Sequence, residues 1–232
     1  MAAESSPYRP LLAKPARVPA LAAIGLAITS LTVMSIRYAD QDMPGRVDRF
    51  LDTLIRDHFP AAPAMQALAG LGDPAPAAIL VVAVAAAAAA ARRWSGALLA
   101  IIGTSAAVAL TELFLKPLIG RLRFGHLTFP SGHTTAVGAV AVAAVILIGG
   151  ARWPRSRTLR VIGCLGALTL AAGVALSLVA LRIHYATDTL AGSCVAVVTV
   201  LAVALILDFL HPHHGVRRGV PEGPGSGVRK DS

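Results

Sequence analysis

Apolar runs recur along the chain at about residues 18–36, 75–91, 95–115, 133–150, 159–180 and 188–210, separated by short polar breaks. Each is long enough, or nearly so, to cross the ~30 Å hydrocarbon core of a bilayer as a helix of about 20 residues. The pattern predicts an all-α fold, a polytopic six-helix transmembrane bundle with both termini on one side. The first run exceeds the ~7–15 residues of a signal-peptide core, and Arg37 and Tyr38 follow it where small cleavage-site residues would stand. It is read as a retained span. The longest break, about residues 37–74, carries Val47, Phe50, Leu51, Leu54, Ile55 and Phe59 at helical spacing, with Asp48, Arg49, Asp52, Arg56 and Asp57 between them. This predicts an amphipathic helix, either lying in the membrane interface or packed as a cap on the bundle. The chain divides into an N-terminal segment (1–17), a six-helix membrane domain (18–210) and a tail (211–232). The tail ends in PEGPGSGVRKDS and is disordered by composition.

At 56% hydrophobic and 14% charged residues over 232 positions, with mean hydropathy +0.69, the chain is too apolar for a soluble globular domain. A net charge of +9 raises the question of a nucleic-acid partner. The basic residues punctuate the apolar runs instead of gathering with aromatics, which make up only 5%, so the partner implied is the lipid bilayer and not nucleic acid. Their distribution also sets orientation. Arg9, Lys14, Arg17, Arg92, Arg93, Arg152, Arg155, Arg157, Arg160, Arg217, Arg218, Arg229 and Lys230 fall on the side of the termini. That side is therefore cytoplasmic, and KPLIGRLRFGHLTFPSGH (116–133) and RIHYATD (182–188) share the extracytoplasmic face of the cell membrane. Cys164 and Cys194 lie inside apolar runs and read as small buried hydrophobes.

These two loops hold the residues with chemistry. Lys116, Arg121 and Arg123 precede a turn whose backbone N–H groups open a helix at about His133. Cations beside a helix N-terminus make a phosphate cradle, although the same cations would also suit a helix end at head-group level. His184 and Asp188 are one helical turn apart, so the carboxylate can hold one ring nitrogen and leave the other free as a nucleophile. His133 suits a general acid for the departing oxygen, because an imidazole can carry a proton near neutral pH. Together they suggest phosphoryl transfer through a covalent phosphohistidine, with no metal and no cofactor. Glu112 precedes Lys116 by four residues, the favourable order for a supporting ion pair. HPHH (211–214) sits on the tail without a carboxylate or cysteine to complete a metal site.

In this arrangement the chain resembles the type-2 phosphatidic acid phosphatase family, lipid-phosphate relatives of the vanadium haloperoxidases. The family pattern is Lys, six residues, Arg-Pro; then Pro-Ser-Gly-His; then Ser-Arg, five residues, His, three residues, Asp. Lys116 and Arg123 match the first element and Phe124 replaces its proline. Pro130, Ser131, Gly132 and His133 match the second, and Ser177, His184 and Asp188 match the third. The resemblance implies that Lys116, Arg123, Ser131 and Gly132 bind phosphate and that His133 protonates the leaving group. It implies His184 as the phosphorylated nucleophile and Asp188 as its orienter.

Leu178 stands where the family has a phosphate-binding arginine. Arg182, one turn further if the fifth span continues as helix, and Arg121 are the two replacements at hand. The expected activity is hydrolysis of a lipid phosphate or diphosphate, polyprenyl or phosphatidate-like. The alternatives are a catalytically weak relative that binds a phosphorylated lipid or membrane partner, and a lipid phosphotransferase. The chain type of the lipid and the oligomeric state are not legible.

Overall fold

The computed structural model describes residues 10–151 and 156–210. Eight helices account for nearly all of them: α1 (Lys14–Tyr38), α2 (Arg46–His58), α3 (Pro63–Gly70), α4 (Pro74–Ala90), α5 (Trp94–Ile119), α6 (Gly132–Gly149), α7 (Arg157–Ala180) and α8 (Ala186–Leu210). A two-stranded hairpin, β1 (Leu122–Arg123) and β2 (His126–Leu127), interrupts the otherwise helical chain after α5. Prolines at the first positions of α3 and α4 start those helices, where a missing N–H is harmless. Ser131 and Ser156 cap α6 and α7, each hydroxyl accepting from the N–H three residues on. Helix α5 holds π-helical turns at Leu99–Gly103 and Leu110–Leu115, the second ending just before Lys116.

Five helices (α1, α5, α6, α7 and α8) are long and apolar enough to span a membrane. Helix α4, at 17 residues, reaches a sixth span only together with α3, from which it is bent by 62°. The chain is thus an all-α, multi-pass membrane protein, and the weak element is the predicted span at 75–91.

At the centre lies α8, against α1 on one side and α6 on the other. Its buried face is Ala191, Val195, Ala196, Val200 and Ala204, and α6 answers with Ala139 and Ala143. Large side chains such as Leu26, Ile36, Val82, Leu165 and Phe209 point outward. A bundle in lipid is built this way, because small residues let helices approach while large ones face acyl chains as apolar as themselves.

Three elements depart from expectation. Helix α2 is amphipathic as predicted, but its inner face is polar: Asp48 and Asp52 are buried, whereas Val47, Phe50 and Leu54 are exposed. Helix α7 stops at Ala180, and Arg182 sits in the left-handed region at φ 61°, so it does not continue the helix from Leu178. Helix α1 begins at Lys14, preceded by Leu11 and Leu12, whose buried N–H groups donate to the Asp208 carboxylate at 2.7 and 2.9 Å. The HPHH stretch, the predicted tail, Arg9, Arg152 and Arg155 lie outside the described residues.

Candidate active site

The end of α5, the start of α6, the turn between α7 and α8, the hairpin and the α3–α4 elbow meet at one end of the bundle around a cavity of about 1020 Å³. Lys116, Arg123, Gly132, His133, Arg182 and His184 line it, which brings together residues from both predicted loops. Toward the bundle interior the walls turn apolar, with Ala77, Ala78 and Val81 of α4 facing Val108, Ala109 and Leu113 of α5. Arg123 pairs with His126 across the hairpin, and Phe124 and Gly125 turn it at φ 50° and 79°. Two positive φ values are the signature of a type I′ turn, which matches the twist of short strands. A proline, locked near φ −65°, cannot stand there, which explains Phe124 in that position.

His184 is buried, with Nδ1 3.5 Å from Oδ2 of Asp188. That distance is within ion-pair range but longer than a formed hydrogen bond. The same Asp188 oxygen accepts the Tyr185 N–H at 3.0 Å, closing a tight turn at the start of α8. The His133 ring centroid lies 6.1 Å from that of His184. On its far side Nε2 of His133 lies 3.0 Å from Oδ1 of Asp73, the residue that precedes α4. Two close approaches hold these pieces together. A Cβ on Gly72 would lie 2.6 Å from Cβ of His133, and one on Gly192 would lie 2.5 Å from the carbonyl oxygen of Ser131. Only glycine lets the elbow touch His133 and lets α8 touch the Pro-Ser-Gly-His turn.

The cations divide by environment. Lys116 pairs with Glu112 at 2.8 Å, as the four-residue spacing predicts, and Glu112's carboxylate also lies against Gly132. Arg123 is buried with its guanidinium 4.0 Å from the Tyr185 ring, and its Nε and Nη1 have no hydrogen-bond partner. Buried donors left unpaired are costly, and an anion in the cavity would satisfy them. Arg182 is exposed on the cavity rim.

Arg121, expected as a phosphate ligand, does not line the cavity. It is fully buried and ion-paired to Asp48 and Asp188. Ser131 is buried as the N-cap of α6 and is likewise absent from the cavity wall. Leu178 is fully buried in an apolar cluster with Ala69, Val137 and Val174. Burial raises the carboxyl pKa of Asp52 above its usual range, and the charge of Asp48 adds to that. Burial likewise raises the phenol of Tyr185.

Sequence reasoning passed over Asp73, Asp48 and Asp52. Asp73 before Pro74 carries a helix-start signal, but nothing in the sequence ties it to His133. The two acids on α2 read as its solvent face, because an amphipathic pattern does not say which face turns inward.

Residues 116–211 match the family model described as PAP2 superfamily. Among solved structures, the chain is similar to one described as the first transmembrane PAP2-type phosphatidylglycerolphosphate phosphatase from Bacillus subtilis. The two share 19% identity and a TM-score of 0.61, covering 84% of this chain and 98% of that one. No curated protein matches the chain.

Proposed function

We propose, from the match of residues 116–211 to the PAP2 superfamily, that this chain is an integral membrane phosphatase acting on a lipid phosphate or diphosphate at the extracytoplasmic face. The observation that carries the reading is the pair of histidines, 6.1 Å apart, on the wall of a cavity that also holds Lys116, Arg123 and Arg182. Asp188 orients Nδ1 of His184, leaving Nε2 to attack phosphorus. The bond from phosphorus to the lipid oxygen breaks as His133 donates its proton to that oxygen. A phosphohistidine forms, and neutral His133 then takes a proton from water as the water attacks phosphorus. The P–N bond breaks and inorganic phosphate leaves. No step uses a metal or a cofactor.

Charge on the transferring group is met by Lys116, Arg123 and the opening N–H groups of α6 at Gly132. Arg182 supplies the cation that Leu178 lacks, in preference to Arg121, which is committed to two carboxylates. The hydrocarbon chain of the substrate runs along the apolar wall between α4 and α5. A polyprenyl phosphate, a phosphatidate or a phosphatidylglycerol phosphate suits these contacts equally. Helix α2 turns Val47, Phe50 and Leu54 outward, which suits an interfacial position.

Phosphate release from a panel of polyprenyl and glycerolipid phosphates, by detergent-purified protein with EDTA present, tests the proposal. Release that survives EDTA and disappears in His184→Ala is the expected result. Release that survives His184→Ala refutes the histidine mechanism, and no release from any lipid by folded protein favours the weak, lipid-binding relative. A phosphorylated alcohol in place of free phosphate identifies a phosphotransferase.

A further inference from the structure

Helix α2 lies outside the segment that matches the family, yet it holds the start of the helix that carries Asp188. Asp48 and Asp52 are one turn apart on its inner face. Oδ1 of Asp52 accepts the Ala186 N–H at 3.0 Å, and Oδ1 of Asp48 accepts the Thr187 N–H at 3.1 Å and its hydroxyl at 2.7 Å. Two carboxylates from another helix thereby satisfy the opening N–H groups of α8. The remaining Asp48 oxygen binds Nη2 of Arg121, whose Nη1 donates at 2.7 Å both to Asp188 Oδ1 and to Thr187 Oγ1. The rings of Tyr38 and Tyr185 lie 4.3 and 4.5 Å from the guanidinium carbon.

We propose that Asp48, acting through Arg121, is a positioning residue for the His184 nucleophile. The inference rests on the histidine-phosphatase reading above. With Oδ1 of Asp188 held by Arg121, Oδ2 is the oxygen turned to His184. The buried group Asp48, Arg121 and Asp188 contains two carboxylates and one guanidinium. It therefore carries one excess negative charge behind the ring that becomes positive as its Nε2 bonds phosphorus. Without Asp48 the guanidinium faces Asp188 alone, neutralises that excess and weakens the carboxylate's hold on His184. A guanidinium with two acids fixes Asp188 and leaves the buried group net negative; one with a single acid only fixes it. The effect falls on the chemical step, because neither Asp48 nor Arg121 touches the cavity.

Asp48→Asn is the test, read as kcat and KM on a responsive lipid phosphate, with the inhibition constant of inorganic phosphate as a measure of the intact cradle. The expected result is a kcat lower by about ten- to a hundredfold, the span of coupling within one buried network. KM and phosphate inhibition should stay within about threefold of the parent protein. The loss should shrink when Asp48→Asn is made in an Asp188→Asn background, where the relay has no end point. Equal losses in both backgrounds, or an unchanged kcat, would overturn the proposal and leave Asp48 as a fold-holding cap.

If Asp48→Asn does not fold, Arg121→Lys is read in its place. It keeps a buried cation but not the fork that joins Asp48 to Asp188, so a kcat loss with unchanged phosphate inhibition supports the relay and no loss overturns it. His184→Ala, run alongside, separates the two failures. Retained release there sinks the histidine reading, whereas abolished release with unaffected Asp48 variants sinks only the relay.

Discussion

Replacing Arg182 by glycine isolates one cation from its structural surroundings. Arg182 is exposed on the cavity rim and occupies the left-handed region at φ 61°, where a side chain costs about 1–2 kcal/mol and glycine costs almost nothing. Arg182→Gly removes the guanidinium and relieves the backbone, so the variant should unfold at the same temperature as the parent or slightly above it. If Arg182 meets charge that develops on phosphorus, its loss belongs with removal of one transition-state donor, about 10²- to 10³-fold in kcat, or about 2.7–4 kcal/mol of barrier. The assay is initial-rate phosphate release at saturating lipid, paired with thermal unfolding in the same detergent. Arg182→Lys, which keeps the charge but not the fork of donors, should recover part of the rate. A KM increase with kcat intact would make Arg182 a head-group contact only. A kcat within about threefold of the parent would refute the replacement argument and leave the cradle one cation short.

Other outcomes follow from the same geometry. Phe124→Pro restores the family's residue yet should lower activity at least about tenfold, because proline cannot hold φ 50° and the hairpin that aims Arg123 would open, whereas Phe124→Gly should be neutral; both are read by phosphate release. Gly72→Ala places a methyl 2.6 Å from Cβ of His133 and should cost about 1–3 kcal/mol of overpacking, seen as a lower melting temperature with a reduced kcat. Leu178→Arg buries a cation among Ala69, Val137 and Val174, so it should destabilise the fold instead of raising turnover; higher turnover at unchanged stability would contradict this. Asp52 has a raised pKa in the fold, so its stabilising share is full below the ordinary carboxylate value and is lost as pH rises through the raised one. Asp52→Asn keeps a carbonyl for the Ala186 N–H and should flatten that slope in unfolding scans run upward from about pH 4.

The spans were legible because apolar length is a direct physical requirement of the bilayer, and the meeting of Lys116, Arg123, His133 and His184 was legible because their loops share a side. What escaped depends on direction. Hydropathy marks α2 as two-faced, but only burial shows that Asp48 and Asp52 turn inward and the phenylalanine outward. Arg121 and Arg123 are equally plausible phosphate ligands by spacing. Their surroundings separate them: Arg123 lines the cavity, whereas Arg121 is buried against Asp48 and Asp188. The run at 75–91 forms α4 almost in full, and what hydropathy did not show is that α3 precedes it at a bend of 62°, set where Gly70, Gly72 and Asp73 lead into Pro74.

Two departures from the family pattern, Phe124 for proline and Leu178 for arginine, lead to the same kind of local structure. Phe124 itself, and Arg182 four residues after Leu178, are non-glycine residues in left-handed turns, and both line the cavity. Backbone in this region persists only where its surroundings enforce it, and it gathers at functional sites. At the first turn the strain closes the hairpin that brings Arg123 beneath Tyr185. At the second it ends α7 early, with the Ile183 and His184 N–H groups both donating to the Leu178 carbonyl. Leu178 stays on the buried face of α7, and the reversal after it carries the next cation, Arg182, to the rim. On the proposed reading, Arg182 serves in place of the arginine that Leu178 replaces, and it does so from a turn instead of a helix.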